Sequence, residues 1–257
     1  MVKQFKKDQL LVKKYATRQE MGAGAAADAE KIIAGIIAEK GQINMIFAAA
    51  PSQNEMLRNL LNSSCIDWSK VNALHMDEYV GLPEGDSHTF GYYLNEHIFA
   101  HKPFKSVHYI RGSAADSEAE CARYSQLLKD YPVDVVCLGI GENGHIAFND
   151  PWVAEFNDPK AVKVVQLDAM CRNQQVNDGC FPTIDDVPTH ALTLTIPSLT
   201  AAKHLFCVVP AATKANAVRD TVYGPITEEC PASIMRLHPS ATLYCDADSG
   251  YYLTDGE

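Results

Sequence analysis

Position 145 is a histidine set among Glu142, Asn143, Asn149 and Asp150, in the stretch Leu138-Gly139-Ile140-Gly141-Glu142-Asn143-Gly144-His145-Ile146-Ala147-Phe148-Asn149-Asp150-Pro151. Imidazole exchanges protons near neutrality, with an unperturbed pKa of about 6.5. The glycines at 139, 141 and 144 let the backbone turn sharply and pass close to a ligand. The apolar run Val133-Asp134-Val135-Val136-Cys137 reads as a buried strand ahead of this loop. Acid–base residues where a central strand ends are where α/β sheets bind small ligands. The Gly139-Ile140-Gly141 pair is no dinucleotide fingerprint, because it lacks the third glycine and no helix opens on it. Glycines after a strand also suit a purely structural loop. The titratable ring among small polar residues is what favours chemistry.

Three other places carry groups of chemical interest. Val71 to Met76 reads as a strand that leads into Asp77-Glu78-Tyr79. Two carboxylates at a strand's end are costly unless exposed or useful, and solvated loop acids are the plain alternative. Ile43 to Ala49 reads as a strand, then Ala50-Pro51-Ser52-Gln53-Asn54 turns into a helix over Glu55 to Leu61. Such a helix start offers free N–H groups to a phosphate, and Ser52 adds a hydroxyl; the alternative is that Ser52 or Asn54 only caps the helix. Lys214 falls in the first turn of a helix that runs to about Tyr223. A cation there opposes the helix dipole, which a bound anion would explain, though an ordinary solvated lysine is equally compatible.

The elements that must position these groups alternate. Gln19 to Lys40 is a helix with Ile32, Ile33, Ile36 and Ile37 at helical spacing, and Gly41 is a plausible C-cap. Ser87 to Ala100 and Ser117 to Tyr131 are helical. Val107 to Ile110, Ala161 to Leu167, Ala191 to Thr195 and His204 to Val209 are strands, and Ala241 to Cys245 is expected to close the sheet. Residues 1–17 read as irregular, with a short strand near Leu10 to Val12, and Asp168 to Pro188 fits no regular pattern. The alternation implies an α/β fold of Rossmann-like type, a mostly parallel sheet with helices on both faces. With no repeat or linker, residues 1–257 read as a single domain.

Bulk properties narrow the partners. The 257 residues carry a formal net charge of -10, which argues against nucleic acid as a partner but not against a small anion held in a local pocket. No stretch reaches the roughly 18 apolar residues of a membrane span. Met1 to Lys14 is basic with short apolar runs, unlike a signal peptide. The eight cysteines include no C-x-x-C pair, and several lie in apolar strands, so neither a metal site nor a disulfide framework is expected. A reducing, cytoplasmic compartment follows.

With those residues in view, the chain resembles the glucosamine-6-phosphate deaminase (isomerase) family. The resemblance runs from about residue 43 to 246. Its long motifs are Met76-Asp77-Glu78-Tyr79-Val80-Gly81-Leu82 and Gly144-His145-Ile146-Ala147-Phe148-Asn149-Asp150-Pro151. Val187-Pro188 with Ala191-Leu192-Thr193, then Lys214, Leu237-His238-Pro239 and Cys245-Asp246 follow in order. The related 6-phosphogluconolactonases share the Gly-His pair, and Asn149-Asp150-Pro151 favours the deaminase side. The resemblance implies an amino-sugar 6-phosphate as substrate, converted to a ketose phosphate and ammonia without metal or organic cofactor. It implies Asp77 as the proton-abstracting base and His145 as the residue that opens the pyranose ring, with Asn143 and Asp150 as its partners. Lys214, the loop Ala50 to Asn54 (with Ser52 and Gln53) and Gly144 are implied on the ligand's side. The family also carries a phosphate-binding arginine near 168–181, for which Arg172 is the candidate.

Several positions depart from the family pattern. The phosphate loop, often Gly-rich with Thr, reads Ala49-Ala50-Pro51-Ser52-Gln53-Asn54 here. Asp150 stands where Glu is usual, and Asn143 where many members have Asp. These changes lie on the ligand's side and suggest an epimer such as galactosamine 6-phosphate as an alternative substrate. Ala161 aligns with the effector arginine of allosteric members and the chain ends earlier than theirs, so simple saturation kinetics are expected. The family includes monomers and rings, which leaves a homo-oligomer open. Two other functions compete: a 6-phosphogluconolactonase-type hydrolase, in which His145 activates water, and a non-catalytic sugar-phosphate sensor, against which stand the acidic charge and the lack of a helix-turn-helix segment.

Overall fold

The computed structural model describes residues 1–253. In chain order these form β1 (Lys3–Lys7), β2 (Leu10–Lys14), α1 (Arg18–Lys40), β3 (Ile43–Phe47), α2 (Asn54–Leu61), β4 (Val71–His75), β5 (Asp77–Tyr79) and α3 (Phe90–His97). There follow β6 (Ser106–His108), α4 (Ser117–Asp130), β7 (Val135–Leu138), β8 (Val162–Gln166), α5 (Ala169–Asn177), β9 (His190–Leu194), α6 (Ile196–Thr200), β10 (His204–Val209), α7 (Ala215–Tyr223) and β11 (Ala241–Cys245). Short 3-10 turns lead into α2 at Pro51–Gln53 and into α7 at Ala212–Lys214.

Eight strands form one sheet in the order β1-β2-β11-β10-β7-β3-β4-β6. β1 and β2 pair antiparallel, and every other neighbouring pair is parallel. The α/β class and mostly parallel sheet read from the sequence are therefore borne out. Strand side chains alternate between two cores. Ile46, Val136, Leu138 and Cys207 pack with Tyr124 of α4 and Val218 and Val222 of α7. Met45, Phe47, Cys137 and Val208 pack on the other face with Met21 and Ile33 of α1 and Leu57 and Leu60 of α2. Burial on both faces is why these strands are continuous apolar runs rather than alternating ones.

The strand order reverses between β3 and β7. From β3 the sheet grows through β4 and β6, and from β7 it grows the other way through β10 and β11. Loops leaving two such neighbours depart to opposite faces and open a crevice beyond the carboxyl ends of the strands. The loops after β3, β7 and β10 meet there.

A second, three-stranded antiparallel sheet, β5-β9-β8, pairs Asp77 with Thr193 and Val164 with Leu192. Patterning gives strands at 161–167 and 191–195 but not their departure from the parallel sheet. The Asp77-Glu78 pair lies on β5 and is not a solvated loop. The sequence places irregular chain at 1–17, whereas the structure has a hairpin: lysines alternate with Phe5 along β1, the dress of a protected edge strand. β11 does not close the sheet, because β2 pairs along it and puts it inside. The helix expected over 87–100 begins later, at Phe90, where Thr89 caps it by accepting from Tyr92 N–H. Within the unassigned 168–188 segment, Asp168 accepts from Cys171 N–H and starts α5. Gly41 caps α1 as expected, at φ 75°. No described helix is long and apolar enough to cross a membrane.

Candidate active site

The loop after β7 is a compact frame for one ring. Gly144 N–H donates to Gly141 O at 3.0 Å, and Gly141 N–H to His145 O at 2.8 Å. Gly144 has φ +85°, a conformation that L side chains rarely adopt. A Cβ added at Gly141 would fall 2.1 Å from His145 Cε1. The imidazole therefore rests on bare backbone. Asn149, fully buried, fastens the loop to the second sheet by donating from Nδ2 to Ile146 O at 2.9 Å and Leu194 O at 2.8 Å.

The hydrogen bonds fix the state of that ring. Asn143 Nδ2 donates to Asp150 Oδ1 at 2.8 Å, so its Oδ1 is the acceptor facing His145. His145 Nδ1 lies 2.8 Å from Asn143 Oδ1 and 3.0 Å from Asp150 Oδ1. Both neighbours only accept, so Nδ1 carries the proton and the neutral ring presents a lone pair at Nε2. Burial works to raise the Asp150 carboxyl, but bonds and charge from His145, with help from Asn143, outweigh it and hold it below its ordinary value. The carboxylate is thus ready to support a transient imidazolium.

Asp77 occupies the first position of β5, in the wall of the cavity that His145 also lines. Its carboxyl makes no hydrogen bond or ion pair among the described residues. Burial, and then the charge of neighbouring Glu78, push its pKa well above the ordinary value. Glu78 points away. Its carboxylate accepts from the backbone N–H groups of Tyr79 at 2.9 Å, Phe90 at 3.0 Å and Gly91 at 2.9 Å. Burial lifts it to about 7 against the pull of those three amides. Phe90, Phe148 and Met76 supply apolar wall beside Asp77.

The same cavity also carries a cation. Ala50 and Ser52 come from the turn after β3, and Lys214 from the turn after β10. Lys214 is only 6% exposed, and its ammonium makes no hydrogen bond or ion pair among the described residues. Burial lowers its pKa, against the carboxylates of Asp178 and Glu142. The turn that carries it is held from β11: Ala211, at φ 82°, donates its N–H to both carboxylate oxygens of Asp246, at 3.3 and 3.1 Å. Positive φ in a residue with a side chain is strained backbone, sustained only where surroundings impose it.

The expected residues thus divide. Asp77, His145, Ala50, Ser52 and Lys214 line one cavity, with Asn143 and Asp150 behind His145. Gly144 shapes the loop and stands off the cavity wall. Gln53, expected to touch the ligand, is fully buried behind the wall, where its Nε2 donates to Leu138 O at 3.2 Å and Val208 O at 3.3 Å. Those carbonyls, at the ends of β7 and β10, leave no amide proton for a ligand. Arg172 is also outside the lining. Its guanidinium donates to Val187 O at 2.8 Å and Ile184 O at 2.6 Å, so it braces the segment that follows α5.

Other lining residues escape a reading of the sequence. α5 brings in Gln174 and Gln175, and Asp178 follows at its C-cap, while Arg18 arrives from the start of α1. Gln174 Oε1 accepts from Glu142 N–H at 2.9 Å. Gln175 is 8% exposed, and its side chain makes no hydrogen bond among the described residues. Helical spacing could have shown that 174, 175 and 178 share one face; nothing local marks Arg18. His145, Asp150 and Cys171 also bring ligand-type atoms within 4.8 Å of one another. His145 Nδ1 is already committed to hydrogen bonds, and burial pushes the Cys171 thiol far up. The trio is a hydrogen-bonded cluster rather than a set of free metal donors.

Comparison with known proteins agrees with this geometry. Residues 16–244 match the family model described as glucosamine-6-phosphate isomerases/6-phosphogluconolactonase. A glucosamine-6-phosphate deaminase of Listeria monocytogenes is 37% identical over 237 residues, covering 92% of this chain and 98% of that one. One from Bacillus cereus is 42% identical over 195 residues, 76% of this chain and 71% of its own. Among solved structures, a monomeric glucosamine-6-phosphate deaminase superposes with a TM-score of 0.84 at 31% identity, covering 93% of this chain and 98% of its own. The 6-phosphogluconolactonase of Thermotoga maritima gives a TM-score of 0.75 at 16% identity over 92% of this chain and 99% of its own, a likeness of fold alone.

Proposed function

The chain belongs to the glucosamine-6-phosphate isomerase/6-phosphogluconolactonase family, and from that premise we propose that it is an amino-sugar-6-phosphate deaminase. Its substrate is glucosamine 6-phosphate or an epimer such as galactosamine 6-phosphate. The observation that carries this reading is one cavity shared by the carboxyl of Asp77 and the ammonium of Lys214, both unpaired among the described residues, and the ring of His145.

Lys214 and the Ala50–Ser52 turn hold the 6-phosphate, which supplies binding energy remote from the reacting carbons and sets the sugar in register. His145 Nε2 takes the proton of the anomeric hydroxyl and returns it to the ring oxygen, which opens the pyranose. Asp150 and Asn143 keep the ring in the required tautomer and support its brief positive charge. Asp77 then removes the proton from C2 of the open aldehyde; the electrons pass to the C1 carbonyl and leave an enolamine. Asp77 returns that proton to C1. The resulting imine at C2 takes up water and releases ammonia, giving the ketose 6-phosphate. A carboxyl with a raised pKa suits both the removal and the return. Every protein group in the scheme comes from one chain. Val162 of β8 and Leu192 and Leu194 of β9 share a core with the main sheet, which supports a single domain. Eight free cysteines fit a cytoplasmic setting.

The test is ammonia release from glucosamine 6-phosphate and galactosamine 6-phosphate, with loss on Asp77→Asn. Hydrolysis of a phosphorylated aldonolactone that survives Asp77→Asn would replace this reading with a lactonase. Tight sugar-phosphate binding without turnover would replace it with a sensor.

A further inference from the structure

The turn expected to hold the phosphate is short of donors. Pro51 has no N–H, the Gln53 N–H is spent on Ala50 O at 2.9 Å, and the Asn54 N–H on Pro51 O. Gln53 withdraws its amide behind the wall, and Arg172 turns to backbone carbonyls. Of the residues expected on the ligand's side, that leaves Ser52 and Lys214, with the Thr213 hydroxyl also in the wall, to face a phosphate monoester, which carries roughly two negative charges at neutral pH.

Arg18 lines the same cavity at the first position of α1. Its Nε donates to Glu55 Oε2 at 2.8 Å, and its Nη2 donates to the carbonyl of Pro51 in the phosphate turn itself. The Nη1 group makes no hydrogen bond among the described residues. The guanidinium is therefore aimed by two partners and keeps N–H groups in hand. Its mounting is firm, because α1 and α2 touch at Gly22, where an added Cβ would sit 2.3 Å from Glu55 Cβ. A cation at a helix start opposes the dipole. Arg18 and Lys214 both stand at helix starts on one cavity, and Lys214 is more than nine-tenths buried with no partner among the described residues. Both cations line the same cavity.

We infer that Arg18 is a ligand of the substrate phosphate, forming with Lys214 the cationic clamp that Arg172 was expected to help make. The inference rests on the deaminase reading for the identity of the substrate, but not for the presence of the anion site. Guanidinium is suited to the role, since it offers two parallel N–H groups to a phosphate edge.

The experiment compares Arg18→Met, Arg18→Lys and Glu55→Gln with the parent in two assays: calorimetric binding of inorganic phosphate, and kcat and KM for glucosamine 6-phosphate. Charge-assisted hydrogen bonds of this kind correspond to about 10- to 100-fold in affinity. Arg18→Met is expected to weaken inorganic phosphate and raise KM by that factor with a smaller change in kcat, and Arg18→Lys to recover part of both. Glu55→Gln, which loosens the guanidinium without removing it, is expected to stay within about threefold of the parent. Phosphate affinity and KM unchanged in Arg18→Met would overturn the inference. So would equal losses in Arg18→Met and Glu55→Gln, which would mark the arginine as a structural partner of Glu55. If no amino-sugar phosphate is turned over, the phosphate-binding arm still decides the role of Arg18. Turnover that ignores Arg18 removes this inference and leaves the deaminase reading standing.

Discussion

Asp150 Oδ1 lies 3.0 Å from His145 Nδ1, so an aspartate reaches the imidazole at a position where the family usually carries the longer glutamate. The reach is made up by the loop, which places residues 143, 145 and 150 around one point, with Asn143 bridging ring and carboxylate. The proton on Nδ1 is the consequence, and Nε2 is the atom left with a free lone pair.

Asp150→Asn should therefore damage chemistry more than binding. An amide can turn its NH2 toward Nδ1 and stabilise the opposite tautomer, which removes the lone pair from Nε2. A loss of about 10²- to 10⁴-fold in kcat is expected, the range of one general acid–base group, with KM changed little. Steady-state kinetics with a ring-closed substrate measure it. An equal loss in KM and none in kcat would contradict the tautomer assignment.

Asp77→Asn should trade activity for stability. The folded pKa of Asp77 is raised above its ordinary 3.8 by burial and by Glu78. The native state thus holds the proton more tightly than the unfolded chain, and its contribution to stability is full below pH 3.8 and is lost as pH rises toward the folded value. Near neutrality the neutral asparagine avoids that cost. Urea unfolding should show Asp77→Asn more stable than the parent at pH 7 and the advantage shrinking as pH falls toward 4, while ammonia release disappears.

Glu78→Gln should loosen the frame that holds Asp77. The carboxylate accepts three backbone N–H groups, from Tyr79, Phe90 and Gly91. An amide offers only one oxygen, so its NH2 must face a backbone donor. Leaving a buried donor unsatisfied costs about 1–3 kcal/mol, visible as a lowered unfolding midpoint. Because β5 and the start of α3 are tied together by this group, kcat should fall as well, without the complete loss seen at Asp77.

Ala161 leads into β8 where allosteric relatives are expected to carry an effector arginine. Initial rates should follow a simple hyperbola in sugar phosphate, with no change on adding an N-acetylated sugar phosphate. Sigmoidal rates relieved by that compound would refute this.

Much of the site was legible before any coordinates. The strand–loop units after β3, β7 and β10 are local patterns of apolar run followed by turn residues, and they alone place Ser52, His145 and Lys214 at strand ends. The second sheet was not legible. β5 pairs with β9 more than 100 positions along the chain, and alternation identifies a strand without naming its neighbours. The family resemblance implies Gln53 and Arg172 on the ligand's side. Their amide and guanidinium instead satisfy backbone carbonyls, a choice set by which carbonyls the fold leaves bare.

The amino-acid order by itself determined which residues stand at the ends of parallel strands, because a run buried on both faces followed by glycine or proline has few other ways to fold. Only the tertiary structure decided which of those ends share a crevice, since that depends on the reversal of strand order between β3 and β7. It also decided that Arg18, nearly 200 residues from Lys214 along the chain, lines the same cavity. The physical reason is that hydrophobic periodicity acts over a few residues, whereas the meeting of two cations at one cavity is settled by how helices and strands pack.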